Sequence, residues 1–299
     1  MTTPPLRDAA TVILLRPTAT TSPTGPEDPF QVFLLRRSPN LDFMAEMWVF
    51  PGGRLDEVDL SPELHALVRD LSPEEAARRM GNRAAPQKAL GLFLTAIRET
   101  FEEAHLLLAR RRGSQSFFSP SQEEKEVLQA LRQRLDNGEI SLLEVAQTLH
   151  VELAGSRFGF FAHWVTPTFE NRRYDTRFFV TPCPEGQEPR EDNRETTASI
   201  WLSPQEALKT CARGEILLAP PTLQTLKELT RFDSIDAVLN FARTTLPPRV
   251  LPYLLPDTPT PTLVMAGDPL YPTTGEYLES EPLRDGTTRT EFGSQQSEV

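Results

Sequence analysis

Residues 98–103 have the sequence Arg-Glu-Thr-Phe-Glu-Glu, and this hexapeptide decides how the chain is interpreted. It lies on a helix that we predict over residues 88 to about 112, because apolar residues recur there at the three- and four-residue spacing of a buried stripe. Residues three and four apart share a helix face, so Glu99, Glu102 and Glu103 form one acidic patch. Mg²⁺ and Mn²⁺ neutralise such a patch well, since they prefer oxygen ligands. A solvated acidic helix face is the alternative.

A second informative stretch lies upstream, where residues 50–57 have the sequence Phe-Pro-Gly-Gly-Arg-Leu-Asp-Glu. Two glycines after a proline let the backbone turn tightly and leave carbonyl groups that can face a metal ion. A plain turn at the end of a strand has the same pattern. Neither stretch is decisive alone.

Together, the two stretches resemble the signature of the Nudix hydrolases. The matching residues are Gly53, Glu57 or Asp59 near the first acidic position, Arg98, Glu99, Glu102, Glu103 and Leu106. The chain departs from the signature in three ways: a long insertion separates the halves, Thr100 replaces an apolar residue, and His105 replaces the closing glycine. Histidine reaches positive φ less easily than glycine, so we expect the helix to continue through His105.

One branch of that family, the peroxisomal coenzyme A diphosphatases with their bacterial relatives, is similar to this chain over roughly residues 8–230 and has an insertion at the same place. The similar stretches are Phe43–Asp56, Ala96–Ala104, His163–Val180, Trp201–Leu208 and Ile216–Leu223. The resemblance implies an α/β protein, the Nudix α/β/α sandwich with a mixed sheet between helices. It also implies that a helical insertion at about 60–87 and further helices at 121–150 surround the site as a lid or wall.

The remaining segments divide the chain by composition. We predict a Nudix domain over residues 1–245, followed by a proline-rich extension over 246–271 and a disordered tail over about 273–299, which is polar and acidic. Three alternatives are open for the apolar run 263–266: packing on the core, packing on a second copy in a homodimer, or a loosely ordered segment.

By resemblance, the helix carboxylates hold the metal ions. The metal ligands and catalytic residues implied are Glu99, Glu102 and Glu103, with the Gly52 carbonyl as an additional candidate ligand. Arg98 is expected to hold the loop by pairing with Asp59 or Glu57. Glu195 is a candidate base or further ligand from outside the helix, and an idle loop carboxylate is the alternative reading of it.

Arginines on two predicted strands are the candidates for binding substrate. They are Arg36 and Arg37 on the first, and Arg172, Arg173 and Arg177 on the second. Guanidinium groups bind phosphate in a bidentate manner. Strand alternation sends Arg173 and Arg177 to one face and Tyr174 to the other. The alternative is a solvated strand face on which Asp175 pairs with an arginine.

Composition limits the classes of partner. The 299 residues carry a formal net charge of −11, which argues against a protein that coats nucleic acid or an anionic membrane. Phosphate-bearing small molecules remain compatible, because divalent cations can bridge them to an acidic site. Two cysteines cannot build a disulfide framework, and the absence of targeting and membrane-spanning segments makes the cytoplasm the expected location.

The resemblance implies a metal-dependent hydrolase for a nucleoside diphosphate derivative. Coenzyme A or acyl-coenzyme A is the leading substrate, with 3′,5′-ADP and 4′-phosphopantetheine as products. A pyrophosphatase for ADP-ribose or NADH is the first alternative. The second is a Nudix module that binds a ligand without catalysis.

Overall fold

The computed structural model describes residues 4–19, 28–41 and 44–291. Its strands are β1 (Leu6–Pro17), β2 (Phe30–Arg37), β3 (Trp48–Val49), β4 (Gly52–Arg54), β5 (Ala109–Arg111), β6 (Val151–Leu153), β7 (Gly159–Val165), β8 (Arg173–Pro182), β9 (Thr196–Leu202), β10 (Arg249–Val250), β11 (Tyr253–Leu254), β12 (Thr262–Val264) and β13 (Arg289–Glu291). Its α-helices are α1 (Pro62–His65), α2 (Pro73–Arg79), α3 (Pro86–Ala104), α4 (Gln122–Asp136), α5 (Leu142–Thr148), α6 (Pro204–Ala212), α7 (Pro220–Leu229) and α8 (Ile235–Thr244).

Several helices begin where the sequence places a capping residue. Ser61, Ser72 and Ser203 each precede a proline at the first helical position, and each side chain accepts a hydrogen bond from a backbone N–H of the first turn. Ser121 and Ser141 form capping boxes at the starts of α4 and α5. These local signals explain why sequence patterns locate the helices well.

The long helix α3 ends earlier than expected. His105 adopts the left-handed conformation, with φ of 58°, and terminates the helix after Ala104. The expectation that the helix continues toward Arg112 is therefore wrong. The chain instead enters β5, which pairs with β6 in a small two-stranded sheet.

The central sheet has eight strands and is mixed. Its main order is β10-β7-β8-β1-β2-β3, while β4 pairs with β1 and β9 pairs with β2. The pairs β1/β8 and β10/β7 are parallel. The pairs of β1 with β2 and β4, of β2 with β3 and β9, and of β7 with β8 are antiparallel.

Both faces of the sheet are covered, as alternation along β1 shows. Val12 and Leu14 belong to a core formed with α3, the insertion and α4–α5, which we call the helix-α3 face. Ile13 and Leu15 belong to a second core formed with α6, α7, α8 and the C-terminal extension, which we call the opposite face. Period-2 alternation buries both sets. This confirms the α/β/α sandwich.

The insertion packs on α3 rather than across an open site. Arg79 of α2 donates to the Ser156 carbonyl at 3.1 Å, and the Leu153 amide donates to the Leu67 carbonyl at 2.9 Å. Leu64 and Met80 are fully buried in the core of the helix-α3 face. The insertion is thus a supporting layer behind the helix.

The C-terminal extension is built into the fold. Strand β10 joins the central sheet beside β7, and β11, β12 and β13 form a sheet of their own. The boundary expected at residue 245 thus lies before a strand of the central sheet. The disordered tail expected from about residue 273 instead contains a 3₁₀ helix (Gly275–Glu279) and β13. Its last part, 292–299, lies outside the described residues.

The apolar run 263–266 packs on the core, as one of the three alternatives proposed. Leu263 and Met265 join the core of the opposite face, with relative exposures of 5% and 3%. Over the residues described, none of the helices combines the length and apolar composition that crossing a bilayer requires.

We predict that truncating Met265 to Ala lowers the free energy of unfolding by about 2–4 kcal/mol, because the buried thioether leaves a cavity. Leu278→Ala is the control, since Leu278 is 70% exposed in the same extension, and it should change stability by less than about 0.5 kcal/mol. Urea unfolding measures both. Equal effects of the two variants would show that the extension does not contribute to the core.

Candidate active site

One guanidinium group organises the acidic patch on α3. Arg98 Nη1 donates to Glu99 Oε1 and to Glu102 Oε2, each at 2.9 Å. The two carboxylates therefore lie side by side at the end of the helix. Burial differs among the three: Glu103 is buried, the Glu99 side chain is 12% exposed and that of Glu102 is 36% exposed. Glu102 is thus the carboxylate that most faces solvent.

The other edge of the same guanidinium binds Asp59. Arg98 Nε donates to Asp59 Oδ1 and Nη2 donates to Oδ2, both at 2.9 Å, in the bidentate geometry that suits a carboxylate. Asp59 is fully buried and also accepts from the Thr95 hydroxyl and the Asp56 amide. Of the two partners expected for Arg98, the structure selects Asp59, and Glu57 is exposed.

The glycine loop brings its backbone against the helix. The Gly52 amide donates to Glu103 Oε2 at 2.8 Å. A Cβ on Gly52 would come within 2.5 Å of the Ala10 carbonyl oxygen, and a Cβ on Gly53 within 2.4 Å of Glu99 Oε1. Only glycine therefore allows this loop to lie between β1 and the carboxylates, which explains the Gly-Gly of the signature.

The electrostatics favour a bound cation. Burial raises the pKa of Glu99 to about 7, with the Glu102 charge adding to the effect and Arg98 opposing it. Burial also raises the pKa of Glu102, and burial together with the Glu99 charge raises that of Glu103 well above its usual range. Burial alone would lower the pKa of Arg98, but its bond to Asp59 and the neighbouring carboxylates raise it instead. The helix carboxylates are thus short of positive charge.

The three carboxylates of α3 offer the oxygen ligands that a hard divalent cation prefers. A carboxylate has two oxygens and about four lone-pair sites, so each can accept the bonds described and still bind a metal ion. In the described part of the chain, no group of three or more His, Cys, Asp or Glu side chains has the arrangement of a formed metal site.

His105 occupies the position of the signature glycine at modest cost. Its left-handed backbone ends α3 as a glycine would. Its Nδ1 accepts a hydrogen bond from Arg190 Nε at 2.8 Å. Burial, with the charges of Arg132 and Arg190, lowers its pKa to about 4, so the imidazole is neutral near pH 7. The other departure, Thr100, is buried with its hydroxyl donating to the Ala96 carbonyl at 2.7 Å.

Arg132 is a residue near the site that the sequence did not single out. It extends from α4, donates from Nη2 to the Glu102 carbonyl, and stacks its guanidinium 5.3 Å from the Phe101 ring centroid. It also pairs with Asp136 at 2.9 Å. A cation at a helix C-terminus complements the helix dipole. The helices at 121–150 thus reach the end of α3, as expected for a wall.

Glu195 and Arg37 lie near Glu103, although they are distant in sequence. The charge of Glu195 raises the Glu103 pKa and that of Arg37 lowers it. Glu195 is exposed, and its backbone carbonyl accepts from the Ser38 amide at 2.8 Å. The structure therefore brings together Glu99, Glu102, Glu103, Arg98, Gly52, Arg37 and Glu195.

A cavity of about 620 Å³ begins at this loop, on the opposite face of the sheet. Near the loop it is lined by Gly52, Thr11 and Arg37. Its other walls are mostly apolar and come from β7, β8, the start of α7 and the C-terminal extension. The volume suits a small-molecule site. The backbone of Gly52, bonded to Glu103, is the point at which the cavity meets the carboxylates.

The strand arginines proposed for substrate are placed elsewhere. Arg173 pairs with Glu276 at 2.7 Å, and Arg177 pairs with Asp8 at 2.6 Å on the helix-α3 face. Both are buried, and neither lines the cavity. Arg177 also pairs with Asp175 at 3.2 Å, as the alternative to phosphate binding expected, but both arginines are buried rather than solvated.

Two further arginines also lie outside the cavity lining. Arg36 pairs with Glu46 at 2.7 Å, and strand alternation does not relate it to Arg37, because the register of β2 against β9 shifts between these two residues. Arg172 is exposed before β8. The same alternation could have identified the cavity side of β8, where Tyr174, Thr176 and Phe178 line the wall. The insertion contributes no residue to the described lining.

Comparison with known proteins identifies the family of this chain. The family model described as the NUDT19 Nudix domain matches residues 6–231. The chain belongs to the NUDT19 family of Nudix hydrolases. Among NUDT19 relatives, the acyl-coenzyme A diphosphatase NUDT19 of Gallus gallus is 30% identical over 95% of this chain and 84% of its own length. The Homo sapiens protein of the same name is 28% identical over 92% and 82%.

The Nudix fold is also seen in a solved structure. The NUDIX hydrolase from Alicyclobacillus acidocaldarius superposes with a TM-score of 0.63 at 24% identity, covering 81% of this chain and 97% of that chain. This likeness shows a shared fold. Family membership and fold together confirm the resemblance inferred from the split Nudix signature.

We predict that Asp59→Asn lowers the free energy of unfolding by about 3 kcal/mol, because it removes one charge of a buried ion pair and leaves Arg98 undercompensated. Glu57→Gln is the matched control and should stay within about 0.5 kcal/mol of the parent protein. Chemical denaturation followed by circular dichroism measures both. A similar loss in the two variants would contradict the assignment of Asp59 as the partner of Arg98.

We further predict that His105→Val destabilises the protein by about 1–2 kcal/mol relative to His105→Gly, since a β-branched residue resists the left-handed conformation that glycine adopts freely. His105→Gly should lie within about 1 kcal/mol of the parent protein. Thermal unfolding compares the three proteins. Equal stability of the Val and Gly variants would show that the helix end does not require positive φ.

Proposed function

We propose that this protein hydrolyses the diphosphate bond of coenzyme A or acyl-coenzyme A, with 3′,5′-ADP and a 4′-phosphopantetheine as products. The observation that carries the proposal is the meeting of three carboxylates of α3 with a 620 Å³ cavity at Gly52. Membership of the NUDT19 family supports the choice of substrate, as do the relatives in Gallus gallus and Homo sapiens, which are named acyl-coenzyme A diphosphatases.

The acidic residues of α3 would act together as metal ligands. Glu99, Glu102 and Glu103 would hold Mg²⁺ or Mn²⁺, which neutralises the diphosphate and lowers the pKa of a bound water. The Gly52 carbonyl is an additional candidate ligand, because the backbone of this loop lies against Glu103. Arg98 positions the carboxylates through its bonds to Glu99 and Glu102.

The proton from the attacking water needs an acceptor. Glu195 is the candidate base, because it is exposed and close enough to Glu103 for its charge to raise that group's pKa. The water oxygen forms a bond to one phosphorus, the bridging P–O bond breaks, and the leaving phosphate takes the bridging oxygen. Arg37 lines the cavity beside Gly52 and would stabilise charge on the diphosphate.

We predict that Glu102→Gln lowers kcat for coenzyme A at least 100-fold in Mg²⁺ while the melting temperature stays unchanged or rises. Burial raises the pKa of both Glu99 and Glu102, and the Glu102 charge adds to the effect on Glu99, so a neutral residue at 102 removes a buried charge and loss of activity would not reflect unfolding. Glu74→Gln, at an exposed glutamate of α2, is the control and should retain full turnover. Undiminished turnover in Glu102→Gln would overturn the metal assignment.

The same assay separates the substrates. Coenzyme A, dephospho-coenzyme A, ADP-ribose and NADH are compared in Mg²⁺, in Mn²⁺ and in EDTA. A preference for coenzyme A over dephospho-coenzyme A supports the proposal. Preference for ADP-ribose or NADH would favour the dinucleotide alternative, and no turnover of any of the four would favour a ligand-binding module.

A further inference from the structure

The C-terminal extension supplies part of the cavity wall. Pro252, Leu254, Pro261 and Leu263 all line it, and they belong to β11, β12 and the connections beside them. We propose that these four residues form an acyl-chain wall that binds the apolar end of the substrate and sets the preference for acyl-chain length. This inference rests on the proposed function.

The strand order places this wall far from the catalytic loop. Gly52 lies on β4, which pairs with β1, and β8 and β7 separate β1 from β10, the strand that leads into Pro252. Neighbouring strands are about 4.8 Å apart, so four steps across the sheet span roughly 19 Å. A substrate cleaved at Gly52 therefore needs a long arm to reach the extension.

The chemistry of the wall selects an apolar group. Proline and leucine side chains carry neither donor nor acceptor, so Pro252, Leu254, Pro261 and Leu263 present only apolar surface from their side chains to the cavity. A nucleobase, sugar or phosphate buried there would lose hydrogen bonds to water without replacement. An alkyl chain incurs no such cost and gains from each methylene removed from water.

Polar groups lie between the two ends of the cavity. Thr176 and Tyr174 on β8 and Thr166 after β7 line this middle part. They offer hydroxyl groups that can bind the amides of a pantetheine arm. The cavity thus offers charge at Arg37, hydroxyl groups on β8 and after β7, and aliphatic side chains at Leu254, which match the diphosphate, the pantetheine arm and the acyl chain of an acyl-coenzyme A.

The acyl-chain wall is held in place before substrate binds. β11 pairs with β12 through Leu254 and Leu263, and β12 pairs with β13. The Tyr271 hydroxyl donates to the Leu251 carbonyl at 2.6 Å. Leu263 is 5% exposed within the core of the opposite face. A preformed wall can discriminate chain length, because it does not adapt to an oversized group.

The test compares coenzyme A with its acetyl, butyryl, octanoyl and palmitoyl thioesters. With the parent protein, kcat/KM should rise by up to about fourfold per added methylene, which is about 0.8 kcal/mol converted at 1.36 kcal/mol per factor of ten, and then level off. Leu254→Trp should lower the ratio of kcat/KM for octanoyl-coenzyme A to that for coenzyme A at least tenfold. Leu254→Ala should move the optimum to longer chains.

Leu255→Ala is the matched control. Leu255 is the next residue along the chain, but it packs against Val264 and Tyr271 on the other side of the hairpin. This variant should keep the chain-length profile of the parent protein. A flat profile in the parent protein, or an equal change in the profile for the variants of Leu254 and Leu255, would overturn the inference.

Two readouts separate this inference from the proposed function. If the diphosphate of neither coenzyme A nor any of its thioesters is hydrolysed, the proposed function fails, and calorimetric binding of the same series in Mg²⁺ still reports whether Leu254 senses chain length. If coenzyme A is hydrolysed but the profile is flat, only the inference fails. Weaker inhibition by 3′,5′-ADP in Leu254→Trp would show that this end holds the nucleotide, which contradicts the proposal.

Discussion

The site depends on the buried contacts of a single side chain, Arg98. One edge of its guanidinium donates hydrogen bonds to Asp59, and Nη1 donates to Glu99 and Glu102. Nη2 also donates to the Arg54 carbonyl of the glycine loop. The loop that precedes the insertion, the end of β4 and the acidic face of α3 are thereby held in one arrangement. A buried arginine with several acceptors is compensated in charge, while the same carboxylates without it would repel each other.

The two parts of the candidate site lie on different faces of the central sheet. The carboxylates belong to α3 on one face, and the cavity opens on the other. They meet at the short strand β4, whose Gly52 donates to Glu103 and lines the cavity. This position requires glycine, because a side chain there would collide with β1. A backbone contact thus connects the cavity with the carboxylates of α3.

Much of the fold follows from patterns along the chain. Serine caps, proline at the first helical turn and alternation in β1 locate helices and faces, because each depends on neighbouring residues. The same patterns failed at His105, where a histidine takes the left-handed conformation that ends α3. They also failed from about residue 273, where polar and acidic composition suggested a disordered tail, although a 3₁₀ helix and β13 form there.

The sequence by itself determined the family and the acidic helix face, because the residues of each half of the signature lie close together in the chain. The contacts of Gly52 with β1 and of Gly53 with Glu99, which require small residues there, appear only in the tertiary structure. Only the tertiary structure decided that Arg98 pairs with Asp59, that Arg173 and Arg177 face away from the cavity, and that the C-terminal extension completes its wall. Alternation gives strand residues two faces but does not say which face meets substrate. That choice depends on which distant segments cover the sheet, and it is made by packing rather than by local sequence.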